Sequence, residues 1–100
     1  MTKPGFIQHP RANQRGDYIR AACVIQRIEN EAMIGCGLYY EIYHHRVMTQ
    51  LCRLLNNLNS TDKQTLSNEA AKRGFRLDKS SLEESRRSYQ ETLTEIRHSE

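Results

Sequence analysis

The residues with most chemical potential fall in one octet, Leu38-Tyr39-Tyr40-Glu41-Ile42-Tyr43-His44-His45. It holds three of the chain's five tyrosines and two of its four histidines. On a helix these positions point in several directions and cannot all be buried, so Tyr39 and His44 are expected near the surface. Tyrosine and histidine beside arginine is a composition common at protein interfaces, where a ring supplies contact area and its tip a polar contact. Tyr39, Tyr43 and His44 are therefore read as anchors for a protein partner, with Arg46 and Arg53 pairing with its acidic groups. The competing reading is that Tyr40 and Tyr43 fill the rim of the core with their hydroxyls in water.

A second string, Thr65-Leu66-Ser67-Asn68-Glu69-Ala70-Ala71-Lys72-Arg73-Gly74 and the residues up to Ser88, resembles the front half of a helix-turn-helix. A small alanine lets two helices cross closely, and glycine four residues later can take the left-handed turn. In that reading Lys79, Ser80, Ser81 and Arg87 face a DNA groove, and Lys72, Arg73 and Arg76 contact phosphates. Two features weigh against it. The segment from Gly74 to Leu82 exceeds the compact turn by about two residues. Glu83 and Glu84 also place acid near the presenting end.

Other chemistries find less support. The soft metal ligands are Cys36, His44, His45 and Cys52, with neither a CxxC nor an HxxxH pair. Adjacent histidines on a helix point about 100° apart, so no metal site is expected. Phosphate-binding glycine loops, GxSxG and HExxH are missing from the sequence, and neither catalysis nor a cofactor is expected.

Charge sharpens the choice between partners. Residues 1–16 carry Lys3, Arg11 and Arg15 and no acid, which equals the whole net charge of +3. From Asp17 to Ser60 four bases balance four acids, and from Thr61 to Glu100 eight balance eight. A nucleic-acid binder usually presents a basic face. Outside the arm, such a face would require balanced charges to segregate in space.

The elements that must position these residues are helices. Residues 1–16 form a flexible basic arm with Pro4 and Pro10 and no periodicity, expected to be extended or disordered, with Phe6 and Ile7 as its only apolar anchors. The remainder, 17–100, reads as one domain. Helix one starts near Asp17, with Ala21, Ile25, Ile28 and Ala32 on one face and Tyr18, Ala22 and Cys23 widening it. Gly35-Cys36-Gly37 predicts a turn to an antiparallel helix, against the alternative of one continuous helix. Helix two spans about Leu38 to Asn57 with two apolar stripes, a width that suits a central helix or an interface. Ser60 or Thr61 caps a third helix to Arg73, with Leu66, Ala70 and Ala71 inward. Gly74 and Phe75 close it. Asp78 or Ser80 caps a fourth, about Ser81 to Arg97, whose narrow stripe of Leu82, Tyr89, Leu93 and Ile96 suits packing on a single neighbour.

The fold class is thus all-α, a small bundle of about four helices with a basic N-terminal arm. No run approaches the roughly 20 apolar residues of a membrane span, and the first ten residues lack the apolar core of a secretory signal. Three widely spaced cysteines suit a reducing compartment, so a cytoplasmic location is expected. The function expected is a small non-catalytic regulator or inhibitor that binds a larger protein, a profile shared by analogy with small phage- and plasmid-encoded regulators. The alternatives are a DNA-binding regulator using residues 65–88 and a homodimer built on the apolar surface of helix two.

Overall fold

A computed structural model describes residues 14–99, with side chains from Tyr18 onward. The arm's first thirteen residues, Phe6 and Ile7 included, lie outside the described residues. Four α-helices follow in order: α1 (Gln14–Met33), α2 (Tyr40–Leu55), α3 (Ser60–Lys72) and α4 (Lys79–Ser99). Among the described residues there is no strand. The all-α bundle is as expected, but α1 starts before Asp17, which stands inside its first turn and is not its cap.

The core gathers one stripe from each of the first three helices. Ala21, Ile25 and Ala32 of α1 meet Val47, Met48 and Leu51 of α2 and Leu66 and Ala70 of α3, with Leu58 and Phe75 closing from the loops. Spacings of three and four put those residues on single helical faces. Cys23 and Ala71, both expected inside, are exposed. Each lies one residue beyond the buried stripe, where a small side chain leaves nothing to bury.

Helix α2 is the hub. It packs on α1 and α4 and touches α3, while α1 also packs on α3. The wide apolar surface of α2 follows from having to satisfy three neighbours. Helix α4 packs on α2 alone, as its narrow stripe predicts. Its buried residues are Ser85 and Thr92, whose small size allows a close approach.

The connections explain the element boundaries. Gly35 and Gly37 have φ of 78° and 61°. Two left-handed residues this close break the helix and turn the chain back, which settles the junction as a turn between separate helices. Asn59, in place of Ser60 or Thr61, caps α3, its Oδ1 accepting the Asp62 N–H at 2.8 Å. Asp78 caps α4 through the Ser81 N–H at 2.8 Å. That bond, and another with the Ser81 hydroxyl, hold the Asp78 carboxyl below its ordinary range.

Helix α3 ends in a Schellman motif. The Phe75 N–H donates to Ala70 O at 2.8 Å and the Gly74 N–H to Ala71 O at 3.0 Å, with Gly74 at φ 91°. A Cβ at Gly74 would meet nothing within 4 Å, so an alanine there suffers backbone strain and no clash. Gly74→Ala is expected to cost about 1 kcal/mol, the left-handed penalty less the entropy removed from the unfolded chain. Urea unfolding should show that loss, and a smaller one for Gly74→Asn.

Candidate protein-binding surface

The left-handed turn between α1 and α2 projects a group of apolar side chains away from the core. Leu38 is 100% exposed, Ile34 75%, Met33 and Tyr40 62% each, and Tyr39 42%. All but Ile34 line a shallow dish of about 330 Å³, together with Cys36 and Tyr43. The turn holds its shape through local bonds. Cys36 N–H and Sγ both reach Met33 O, at 3.4 and 3.2 Å, and the Tyr39 N–H donates to Cys36 O at 3.2 Å. Arg46 Nη1 donates to Ala32 O at 3.2 Å and to Ile34 O at 2.7 Å, satisfying carbonyls that the end of α1 leaves free.

Tyr39 is the N-cap residue of α2, and its side chain makes no capping bond. Serine, threonine, aspartate or asparagine there would stabilise the helix by about 1 kcal/mol. A ring at this position serves the surface at the expense of the helix end. Leu38, fully exposed beside it, likewise contributes nothing to the core.

The five residues expected to contact a protein partner separate in the structure. Only Tyr39 is an exposed part of the dish. Tyr43 lies at its floor, and its hydroxyl donates to Glu29 Oε2 at 2.7 Å. Burial, and then the bond and charge of Glu29, push the Tyr43 phenol well above its ordinary range, so it remains a donor at physiological pH. Glu29 also faces Arg73 Nη1 at 3.6 Å, and Arg73 Nε lies 3.8 Å from Glu69. Tyr43 thereby joins a network tying α2 to α1 and to the end of α3.

His44 joins a ring cluster behind the dish, 5.2 Å from the Phe75 ring and 5.5 Å from that of Tyr40, to which Tyr43 also belongs. It lines a cleft of about 460 Å³ between α2 and α4, with Tyr40, Glu41, Glu84 and a row of serines. Arg46 donates to the α1 carbonyls and also lines, with Arg53, a shallow groove between α1 and α2 that includes Ile28, Glu31 and Gln50, so these two expected residues do share a surface away from the dish. Sequence reasoning missed Met33 and Ile34 and placed Leu38 within helix two. The signal was present: apolar residues flanking a Gly-X-Gly turn sit beyond the helix ends, where no neighbouring helix covers them.

The residues expected to contact DNA are also dispersed. Arg73 belongs to the Glu29–Glu69 network, while Lys72 lies 3.6 Å from Glu69 and 4.8 Å over the Tyr18 ring. Ser81 is half-buried at the α4 cap, Arg76 and Lys79 are exposed, and Arg87 faces Glu84 at 4.0 Å. No Cα of α3 comes within 8 Å of one in α4. The close crossing suggested by Ala70 and Gly74 is not formed, because Ala70 is buried in the core shared with α1.

His45 carries the contact between α2 and α4. Its ring stacks on Tyr89 at 4.2 Å and 13°. Nδ1 lies 3.5 Å from Ser85 Oγ and Nε2 3.5 Å from Thr49 Oγ1. Thr49 spends its own hydrogen on His45 O at 2.8 Å, so the network assigns the ring proton to Nε2. Burial first, then Arg86 and His44, lower the His45 pKa from 6.5. The folded state thus favours neutral imidazole, whereas the unfolded chain takes up a proton below about 6.5. The His45 contribution is complete above that pH and is lost as pH falls towards the folded value. The melting temperature is expected to drop from pH 7 to pH 5, with a shallower drop in His45→Gln.

Among the described residues no group of histidine, cysteine and acid side chains could hold a metal ion, and no helix is long and apolar enough to cross a membrane. Comparison of the chain with protein-family models, curated proteins and solved structures finds no match to any of them.

Proposed function

We propose that this protein is a small non-catalytic regulator or inhibitor that acts by binding a larger protein, with the α1–α2 turn as its contact surface and the cytoplasm as its compartment. The observation that carries the reading is the exposure of Met33, Leu38, Tyr39 and Tyr40 around one dish, with Ile34 exposed in the same turn. Exposed apolar groups on this scale mark interaction sites more often than ordinary surface. Tyr39 adds a second support, being an aromatic at a cap position where a polar residue would stabilise α2. Tyr39 and Tyr40 would supply rigid anchor area with hydroxyls at the rim. Of the residues expected from sequence, Tyr39 is retained as an anchor and Tyr43 as support beneath the dish. His44, Arg46 and Arg53 lie outside the immediate contact.

The test is site-specific photo-crosslinking in the producing cell. A photoreactive residue at Leu38 should give a discrete protein adduct that the same group at Glu91, on exposed α4 surface, does not give. Tyr39→Ser should abolish the adduct. Equal labelling from both positions, or none from Leu38, would sink the proposal. Anisotropy of a labelled DNA duplex at low salt tests the alternative, and steeply salt-dependent binding would favour it.

A further inference from the structure

We infer that the groove between α1 and α2, on the side of α4 that carries Arg86, is a second binding site, and that its ligand is an extended acidic segment of a protein. The site goes beyond the dish and shares no lining residue with it.

The groove is a shallow trough of about 260 Å³, with Ile28 and Glu31 on its α1 wall and Arg46, Thr49, Gln50 and Arg53 on its α2 wall. Arg46 spends Nη1 on the α1 carbonyls, but its charge stays at the groove. Arg53 is exposed two turns farther along α2, about 10 Å away. Its side chain makes no hydrogen bond or ion pair among the described residues. Among the described residues Glu31 is the one acid in the lining, and Arg27, one turn earlier on the same side of α1, offsets it.

Helix α4 supplies the second observation. Its buried Ser85 and Thr92 face α2. Counted from Ser85 at about 100° per residue, Lys79, Arg86 and Arg97 fall on one flank of α4, and Glu84, Glu91 and Glu95 on the other. Glu84 lines the cleft with His44. Arg86 stands on the opposite side, where burial and then its charge lower the pKa of His45, a groove residue. Charges that balance in number along residues 17–100 thus separate in space, and the basic side is the groove.

An arginine fork matches a carboxylate or a phosphate equally well. The rest of the lining favours a peptide over a nucleic acid. Single-stranded nucleic acid is held by rings on which its bases stack. Among the described residues His45 supplies the one ring in the lining, and Tyr89 already stacks on it at 4.2 Å. Gln50, exposed between the two arginines of α2, carries an amide that can pair with both the N–H and the C=O of an extended backbone. Carboxylates on that backbone would then meet Arg53 on one wall and Arg86 on the other.

The test is fluorescence anisotropy of labelled hexaglutamate titrated with the full chain, with circular dichroism as the folding control. The peptide should bind at low salt and release as salt rises. Arg53→Gln/Arg86→Gln should weaken binding about tenfold, whereas Arg76→Gln/Arg87→Gln, which removes the same charge elsewhere, should change it by less than about twofold. No binding at low salt, or equal affinity in the two variants, overturns the inference, because attraction to net charge alone would not tell them apart. A single-stranded DNA hexamer bound more tightly than the peptide, and released by the groove variant, would overturn it in favour of phosphate. Peptide binding at the groove with no adduct from Leu38 would remove the proposed function and leave this site standing.

Discussion

Replacing Leu38 and Tyr39 together by serine is expected to weaken partner binding about a hundredfold while leaving the melting temperature unchanged or slightly raised. Hundredfold corresponds to about 2.7 kcal/mol, the loss of one strong and one moderate anchor. Stability should hold because neither side chain serves the fold. Leu38 is 100% exposed, and Tyr39 caps α2 without a side-chain bond, so serine there can add a side-chain cap to the first turn. Titration calorimetry with the crosslinked partner, beside a thermal melt, separates the two effects. Lost binding together with a lower melting temperature would show that the turn is structural, and unchanged binding would remove it as the contact surface.

Arg46→Ala is expected to destabilise the fold by about 1.5 kcal/mol, the low end for hydrogen bonds to a charged group, because water can reach one of the two carbonyls. In a domain of this size the melting temperature should fall by roughly 6–12 °C. Its guanidinium donates to Ala32 O and Ile34 O and lays positive charge at the negative end of α1. Arg46→Lys should recover only part of the loss, since both bonds come from Nη1, which the planar guanidinium holds in place and the shorter lysine side chain does not reach. Partner affinity should fall with it, through the shape of the turn. An Arg46 that paired directly with an acidic partner would show the opposite division, with affinity lost at unchanged melting temperature.

These two variants separate residues that look alike in the chain. Tyr39 and Tyr43 are four apart, and helical spacing alone would let them work together. The structure has Tyr39 at the exposed cap and Tyr43 donating to Glu29. Arg73 likewise reads as a free cation beside Lys72, yet it lies between Glu29, more than forty residues earlier, and Glu69. Neither role can be read from sequence, because each depends on a charge that a different helix brings alongside.

What the sequence determined by itself is local. Spacings of three and four define the buried faces of α1 and α2, since a helix returns to the same side at that interval. Gly35, Gly37 and Gly74 mark the left-handed positions where a side chain would be strained, and Asp78 marks a helix start by accepting a backbone N–H. The narrow apolar stripe of α4 implies a single neighbour, because one strip of surface can be covered only once. Tertiary structure alone decided which faces meet. It placed Phe75 against His44, stacked His45 on Tyr89, and separated α3 from α4 in spite of the alanine–glycine string. Among the described residues it also left the tip of the α1–α2 hairpin exposed. Whether an apolar residue is core or contact surface depends on what packs over it, and that neighbour is set by the arrangement of helices distant in the chain.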